Sequence, residues 1–130
     1  MANHVSPPVV LVVEDNLINQ KVVSSMLRLL DCDYLIAQNG VEALRVLHDK
    51  AVSLVLMDCC MPIMDGMEAT VKIRDIAVQV RDHDVPIIAV TAYVSNEYRK
   101  QCLAAGMNDF IEKPINMHRL HAVIMRWITK

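Results

Sequence analysis

Apolar and polar positions along the chain change between two rhythms. VVLVV (Val9–Val13) is a short β-branched run with no polar face, the pattern of a strand covered on both sides of a parallel sheet. After the polar EDN, apolar residues recur at Ile18, Val22, Val23, Met26, Leu27 and Leu30 at helical spacing, with Asn16 placed to cap the helix from Leu17. The alternation then repeats. DYLIA (33–37) predicts a weaker second strand, and GVEALRVLHD (40–49) a helix with Val41, Leu44 and Leu47 on one side. SLVLM (53–57) predicts a third strand and residues 66–75 a third helix. PIIAV (86–90) predicts a fourth strand, its proline at the first position where no ladder donor is lost. SNEYRKQCLAA predicts a helix closed by Gly106, a residue suited to a left-handed cap. DFIEK (109–113) predicts a short fifth strand, and residues 117–128 a last amphipathic helix starting near Asn116. The polar stretch from Ile76 to Asp84 fits either an extension of the third helix or a loop. Five β-α units in series predict an α/β fold, a doubly wound (βα)5 sandwich around a parallel sheet.

Composition narrows the class. With 130 residues, 54% of them hydrophobic, the chain suits one domain with a sizeable core. Residues 1–8 read as a flexible leader and 9–128 as the domain. A formal net charge of −2, from 13 basic and 15 acidic residues, gives no support for binding nucleic acid or an anionic membrane surface. MANHVSPPVV has no signal-peptide pattern, and no apolar run reaches the roughly 18 residues of a membrane span, so the expected location is cytoplasmic. Cys32, Cys59, Cys60 and Cys102 lack metal-ribbon or C-x-x-C spacing and read as reduced thiols.

The chemistry lies at the strand ends. In an open α/β sheet, ligands bind beyond the carboxyl ends of the strands. Glu14 and Asp15 follow the first strand, Asp58 the third and Thr91 the fourth, while Lys113 precedes Pro114 at the end of the fifth. Three carboxylates gathered on one rim, repelling by about 4 kcal/mol per pair at 4 Å and an effective dielectric near 20, require a counter-charge. Oxygen donors alone, and few of them, suit Mg2+, which keeps waters and accepts a phosphate oxygen. A cation, an ammonium and a hydroxyl around one carboxylate are the parts needed for phosphoryl transfer, with Asp58 as nucleophile and an aspartyl phosphate as product.

At these residues the chain resembles a known family. VEDNLINQKV, VLMDCCMPIMDG, AVTA and EKP, in this order and spacing, resemble the receiver domain of two-component response regulators, most closely those of hybrid histidine kinases. The resemblance implies a flavodoxin-like sheet of order 2-1-3-4-5. It implies phosphorylation of Asp58 by a histidine kinase or a histidine phosphotransfer protein, so that the chain is a signalling phosphoacceptor in a phosphorelay and not a turnover enzyme. It implies that Asp15, Asp58 and the Cys60 carbonyl bind Mg2+, or Mn2+ in its place, with Glu14 assisting through water. Lys113 would contact the phosphoryl group, Thr91 would move to bond it, and Phe110 would rotate inward. The output face would be the one formed by the fourth helix, fifth strand and fifth helix, including Tyr98, Phe110, His118 and His121, and a phosphorylation-dependent dimer is compatible with it. Two features depart from common members: Glu14 stands where many have Asp, with little loss expected, and Cys60, two after Asp58, and Tyr93, two after Thr91, occupy positions that flank the path of the hydrolytic water. A thiol orients water poorly and a tyrosine is bulky, which predicts slow self-dephosphorylation.

Competing readings are weaker. A nucleotide-binding module would need a glycine-rich phosphate loop, and the chain has three glycines in total. A phosphatase working through an aspartyl phosphate would carry a second acid at the Cys60 position. A degenerate receiver that only docks partners would not need the acid, Thr91 and Lys113 set. Asp65-Gly66 reads as turn and cap chemistry. His118 and His121 lie three apart without further ligands for zinc, and the nine methionines read as packing rather than a copper site.

Overall fold

In the computed structural model, which describes residues 7–59, 64–92 and 95–128, the two rhythms become alternating strands and helices. The order is β1 (Val9–Val13), α1 (Leu17–Leu29), β2 (Asp33–Ala37), α2 (Gly40–Asp49), β3 (Leu54–Asp58), α3 (Gly66–Arg74), β4 (Ile87–Thr91), α4 (Asn96–Ala105), β5 (Asp109–Glu112) and α5 (Met117–Ile128). All strands pair in parallel in the order β2-β1-β3-β4-β5. The chain steps outward once, from β1 to β2, then crosses back over β1 and continues to β5. With crossovers of one hand this divides the helices between the two faces. Leu11, Val13, Val55, Met57, Ile87 and Ala89 pack on the α2–α4 side with Ala43, Leu47, Ile73 and Cys102. Val10, Val12, Leu54, Leu56, Ile88 and Val90 pack on the other side with Val23, Leu27, Leu120 and Ile124. Strands covered on both faces need no polar alternation, which is why the runs read as unbroken apolar segments.

Several boundaries differ from the sequence expectation by one residue. The third strand runs to Asp58 because Asp58 pairs with Val90, whereas Ser53 only bridges to Val9 at its start. The fourth begins at Ile87 and ends at Thr91, and the fifth ends at Glu112. The third helix stops at Arg74, where Asp75 turns to extended backbone. Residues 76–84 are turns rather than helix. Arg74 fastens this stretch, donating to the carbonyls of His83, Val85 and Gly106 and to Asn108 Oδ1 at 2.7–3.0 Å. Gly106 has φ of 114° and caps α4 in the left-handed region as expected. Asp65 is the cap of α3, accepting from the Glu68 N–H. The expected leader falls on residues 1–6, outside the described residues, and on Pro7 and Pro8; the Pro8 carbonyl accepts from Asp33 N at 2.9 Å.

One helix departs from its expected face. Val23 and Leu27 of α1 are buried with Gln20 and Ser24, but Leu17, Ile18 and Val22 are exposed. At 100° per residue, Ile18 and Val22 fall on a separate stripe from Val23 and Leu27, so the apolar arc of α1 is wider than the face the sheet covers.

Candidate functional site

The carboxyl ends of β1, β3, β4 and β5 lie side by side, and the polar residues that follow the apolar runs meet there. Gln20, one turn into α1, donates to the Glu14 carbonyl at 2.7 Å, while the Glu14 N–H donates to Ala37 O at 2.9 Å. These bonds fix the bend in which β1 passes into the Asn16 cap. They turn the buried Glu14 side chain toward β3 and leave Asp15 exposed. Carboxylate oxygens of Glu14, Asp15 and Asp58 lie within 4.8 Å of one another, the one such cluster of potential metal ligands among the described residues. This oxygen-only donor set fits a hard divalent cation and gives the counter-charge that adjacent carboxylates need.

Asp58 is 3% exposed. Lys113 crosses from the far side of the rim to donate to Asp58 Oδ1 at 3.1 Å, with Glu14 Oε1 at 3.8 Å. The Lys113 N–H donates to Thr91 O at 2.9 Å, so backbone pairing of β4 with the end of β5 sets the reach of the ammonium. The Lys113–Pro114 peptide is cis. Burial is the largest influence on Glu14, raising its carboxyl to about 6; the Asn16 N–H at 3.1 Å and the Lys113 charge oppose that rise, and the Asp58 charge adds to it.

Thr91 is buried at the end of β4 and lines a cleft of about 280 Å3 with Arg99, Phe110, Ile111 and Arg119. Phe110 is half-buried, and the Arg99 guanidinium lies over its ring, 5.5 Å from the centroid. On the opposite face of the sheet, a groove of about 360 Å3 runs from Glu14 and Lys113 past Asn19, Val22, Pro114 and Ile115. Cys59, next to Asp58, is buried within hydrogen-bonding reach of Cys102 and Tyr98; burial pushes its thiol up to about 12, so it stays protonated and inert. His118 and His121 are exposed on α5 and belong to no cluster of ligands. Cys60 and Tyr93, including the Cys60 carbonyl expected at the metal, lie outside the described residues.

Residues 10–125 match the response regulator receiver domain family. The chain belongs to that family. The receiver is 36% identical to Histidine kinase 5 of Arabidopsis thaliana over 95% of this chain and 16% of that protein. It therefore spans a small part of the curated relative it matches. Among solved structures it is similar to the receiver domain of a sensor histidine kinase of Pseudomonas aeruginosa, at 38% identity and a TM-score of 0.85, covering 95% of this chain and 99% of that one. That structure holds a magnesium ion coordinated in the active-site cleft. It is also similar to the Saccharomyces cerevisiae receiver domain of Ssk1, crystallised with the histidine phosphotransfer protein Ypd1, at 34% identity and a TM-score of 0.86, covering 98% and 92%. The chain is thus a two-component phosphorelay receiver with the family's sheet order. No helix among the described residues is long and apolar enough to cross a membrane.

The sequence expectation brought together Glu14, Asp15, Asp58, Thr91 and Lys113, and all five lie on the receiver's one rim. It passed over three contributors. Gly66 opens α3 against the site: a Cβ there would stand 2.5 Å from the Asp58 carbonyl oxygen and 2.9 Å from Met57 Cγ. Arg99 holds the face of Phe110, a pairing between α4 and β5 that no local spacing signals. Val22 lines the groove while Leu17 and Ile18 stand exposed on the same helix, and the excess width of the apolar arc was their signal.

Proposed function

We propose that this receiver accepts a phosphoryl group on Asp58 from a phosphohistidine. A carboxylate oxygen of Asp58 forms the new P–O bond as the P–N bond to the donor breaks, with the bonding pair remaining on the imidazole. The observation that carries the reading is the convergence on Asp58 of two further carboxylates and the Lys113 ammonium. Asp15, Asp58 and the Cys60 carbonyl would hold Mg2+, or Mn2+ in its place, with Glu14 reaching it through water. The ion supplies positive charge against the carboxylates and the phosphoryl oxygens. Lys113, already within hydrogen-bonding distance of Asp58, redirects that hydrogen bond to a phosphoryl oxygen. The Thr91 hydroxyl turns to donate to another, and Phe110 moves into the space beside it, changing the face of α4, β5 and α5. Cys60 and Tyr93, as poor organisers of the hydrolytic water, keep the phosphoryl group long-lived.

The partner is a cytoplasmic histidine kinase or histidine phosphotransfer protein. Val22, which lines the groove that leads to Lys113, and the exposed Leu17 and Ile18 of the same helix give it an apolar docking surface. The crystallised pairing of the Ssk1 receiver with Ypd1 supports a partner of this kind.

Intact-mass spectrometry after incubation with acetyl phosphate and Mg2+ tests the reading. One phosphoryl adduct is expected, abolished in Asp58→Asn and by a chelator, and lost faster from Cys60→Asn/Tyr93→Glu than from the parent. Ile18→Asp should slow transfer from a phosphohistidine protein while leaving the acetyl phosphate reaction unchanged. Sedimentation of the same samples checks for a phosphorylation-dependent dimer. No adduct on a folded, Mg2+-binding protein, from either donor, would replace this reading with that of a docking module.

A further inference from the structure

Phe110 is held from two directions. Its backbone is fixed from the fifth helix: Arg119 Nη2 donates to the Phe110 carbonyl at 2.7 Å and to Asp109 Oδ1 at 3.1 Å, while the Phe110 N–H donates to its neighbour's Oδ1 at 2.8 Å. Its ring is held by the fourth helix, through the guanidinium of Arg99 at 5.5 Å from the centroid. Both side chains line the 280 Å3 cleft that opens onto Thr91. This is the arrangement in which Asp58 pairs directly with Lys113, that is, with an unphosphorylated carboxylate.

We propose that Arg99 is a positioning residue for the phosphoryl-transfer reaction, a latch on the Phe110 ring that must open before the ring can enter the cleft beside Thr91. The inference rests on the reading of Asp58, Thr91 and Phe110 given above and adds a residue to it. Because the backbone of Phe110 stays tied to α5, the ring can move only by rotating about its own side-chain bonds, and that rotation carries it off the guanidinium. A contact made in the unphosphorylated arrangement and lost in the phosphorylated one favours the former, by linkage, and lowers the population competent to react. Arg99 is also exposed, so the latch is open to a partner that docks on α4: an acidic group that draws the guanidinium away would release the ring and promote phosphorylation.

Initial rates of Mg2+-dependent phosphorylation by acetyl phosphate test the latch in five proteins: parent, Arg99→Ala, Arg99→Lys, Phe110→Leu, and Arg99→Ala combined with Phe110→Leu. Arg99→Ala should react about two- to fivefold faster, the range that an exposed cation–π contact supports. Arg99→Lys, which keeps a cation for the ring, should stay closer to the parent. In the Phe110→Leu background the Arg99→Ala effect should vanish. An unchanged rate in Arg99→Ala overturns the latch, and so does an acceleration of equal size without the aromatic ring, which would mark a simple charge effect. A parent that takes up no phosphoryl group from any donor overturns the underlying reading, a result separate from either of these.

Discussion

Glu14 shows how one residue's environment sets the conditions for the site. Burial, with the Asp58 charge beside it, moves its carboxyl from 4.5 to about 6, against the pull of Asn16 and Lys113. A raised carboxyl makes a contribution to folding that is full below the unfolded value and fades as pH rises through the folded one. In metal-free protein the folding stability should therefore fall as pH rises from about 4.5 to about 6.5, by at most about 2 kcal/mol for a shift of this size, and the melting temperature with it. Mg2+ should oppose the fall by countering the newly charged carboxylates, and its affinity should increase over the same window. Thermal melts across pH with and without Mg2+ check this; Glu14→Gln should flatten the metal-free trend. At this scale the sequence was most informative. Each of Glu14, Asp58, Thr91 and Lys113 follows or ends an apolar run, so its position on the rim could be read from strand periodicity and one topological rule. Arg99 could not be read this way, because a cation over a ring depends on how two separate elements approach.

Among the elements, α3 and α4 contrast in how they are fastened. The first turn of α3 is pressed against the backbone of Asp58 and Cys59, so Gly66 is required for closeness of approach rather than for turn conformation. Gly66→Ala should cost about 1–3 kcal/mol, the range for overpacking against atoms that cannot yield, and should slow phosphoryl uptake per folded molecule. Urea unfolding and mass spectrometry on the same samples would check both. In α4, by contrast, Cys102 is the one buried residue, and the Arg99 contact with Phe110 is made at its exposed surface. An element held by so little burial is the one free to shift at small cost. Neither feature leaves a mark in the local pattern of residues. The helical spacing of α3 and α4 was legible, but their closeness to the site depends on the packed distance between layers. For α1 the pattern misled in part, since an apolar residue in helical register can serve the core or a partner's surface alike.

For the molecule as a whole, the doubly wound order was legible because five strands covered on both faces leave their mark as five unbroken apolar runs. Element ends slipped by a residue because pairing with a neighbour, as at Asp58 with Val90, decides where a strand stops. The fold also holds a built-in reporter. Trp127, the single tryptophan, donates to Asp109 Oδ2 at 3.0 Å and ties the last turn of α5 to the start of β5. Burial works against the Asp109 carboxylate, yet Trp127, the Phe110 N–H, Arg119 and Arg126 together hold it below the usual range. Stability from a depressed carboxyl is present above the unfolded value and lost as pH falls through the folded one. Trp127 fluorescence should therefore be steady from neutral pH down to about 4 and change below it. In urea it should unfold together with far-UV circular dichroism, as expected of one cooperative domain. Separated transitions would show that α5 detaches first.

In a wholly parallel sheet every strand points the same way, so the two rims cannot resemble each other. Asp58, Thr91 and Lys113 occupy one pole, and Val9, Leu54, Asp109 and the exposed Lys50 turn occupy the other. The chemistry is therefore confined to one end of the domain, and a contact made at the Lys50 end leaves that end uncovered.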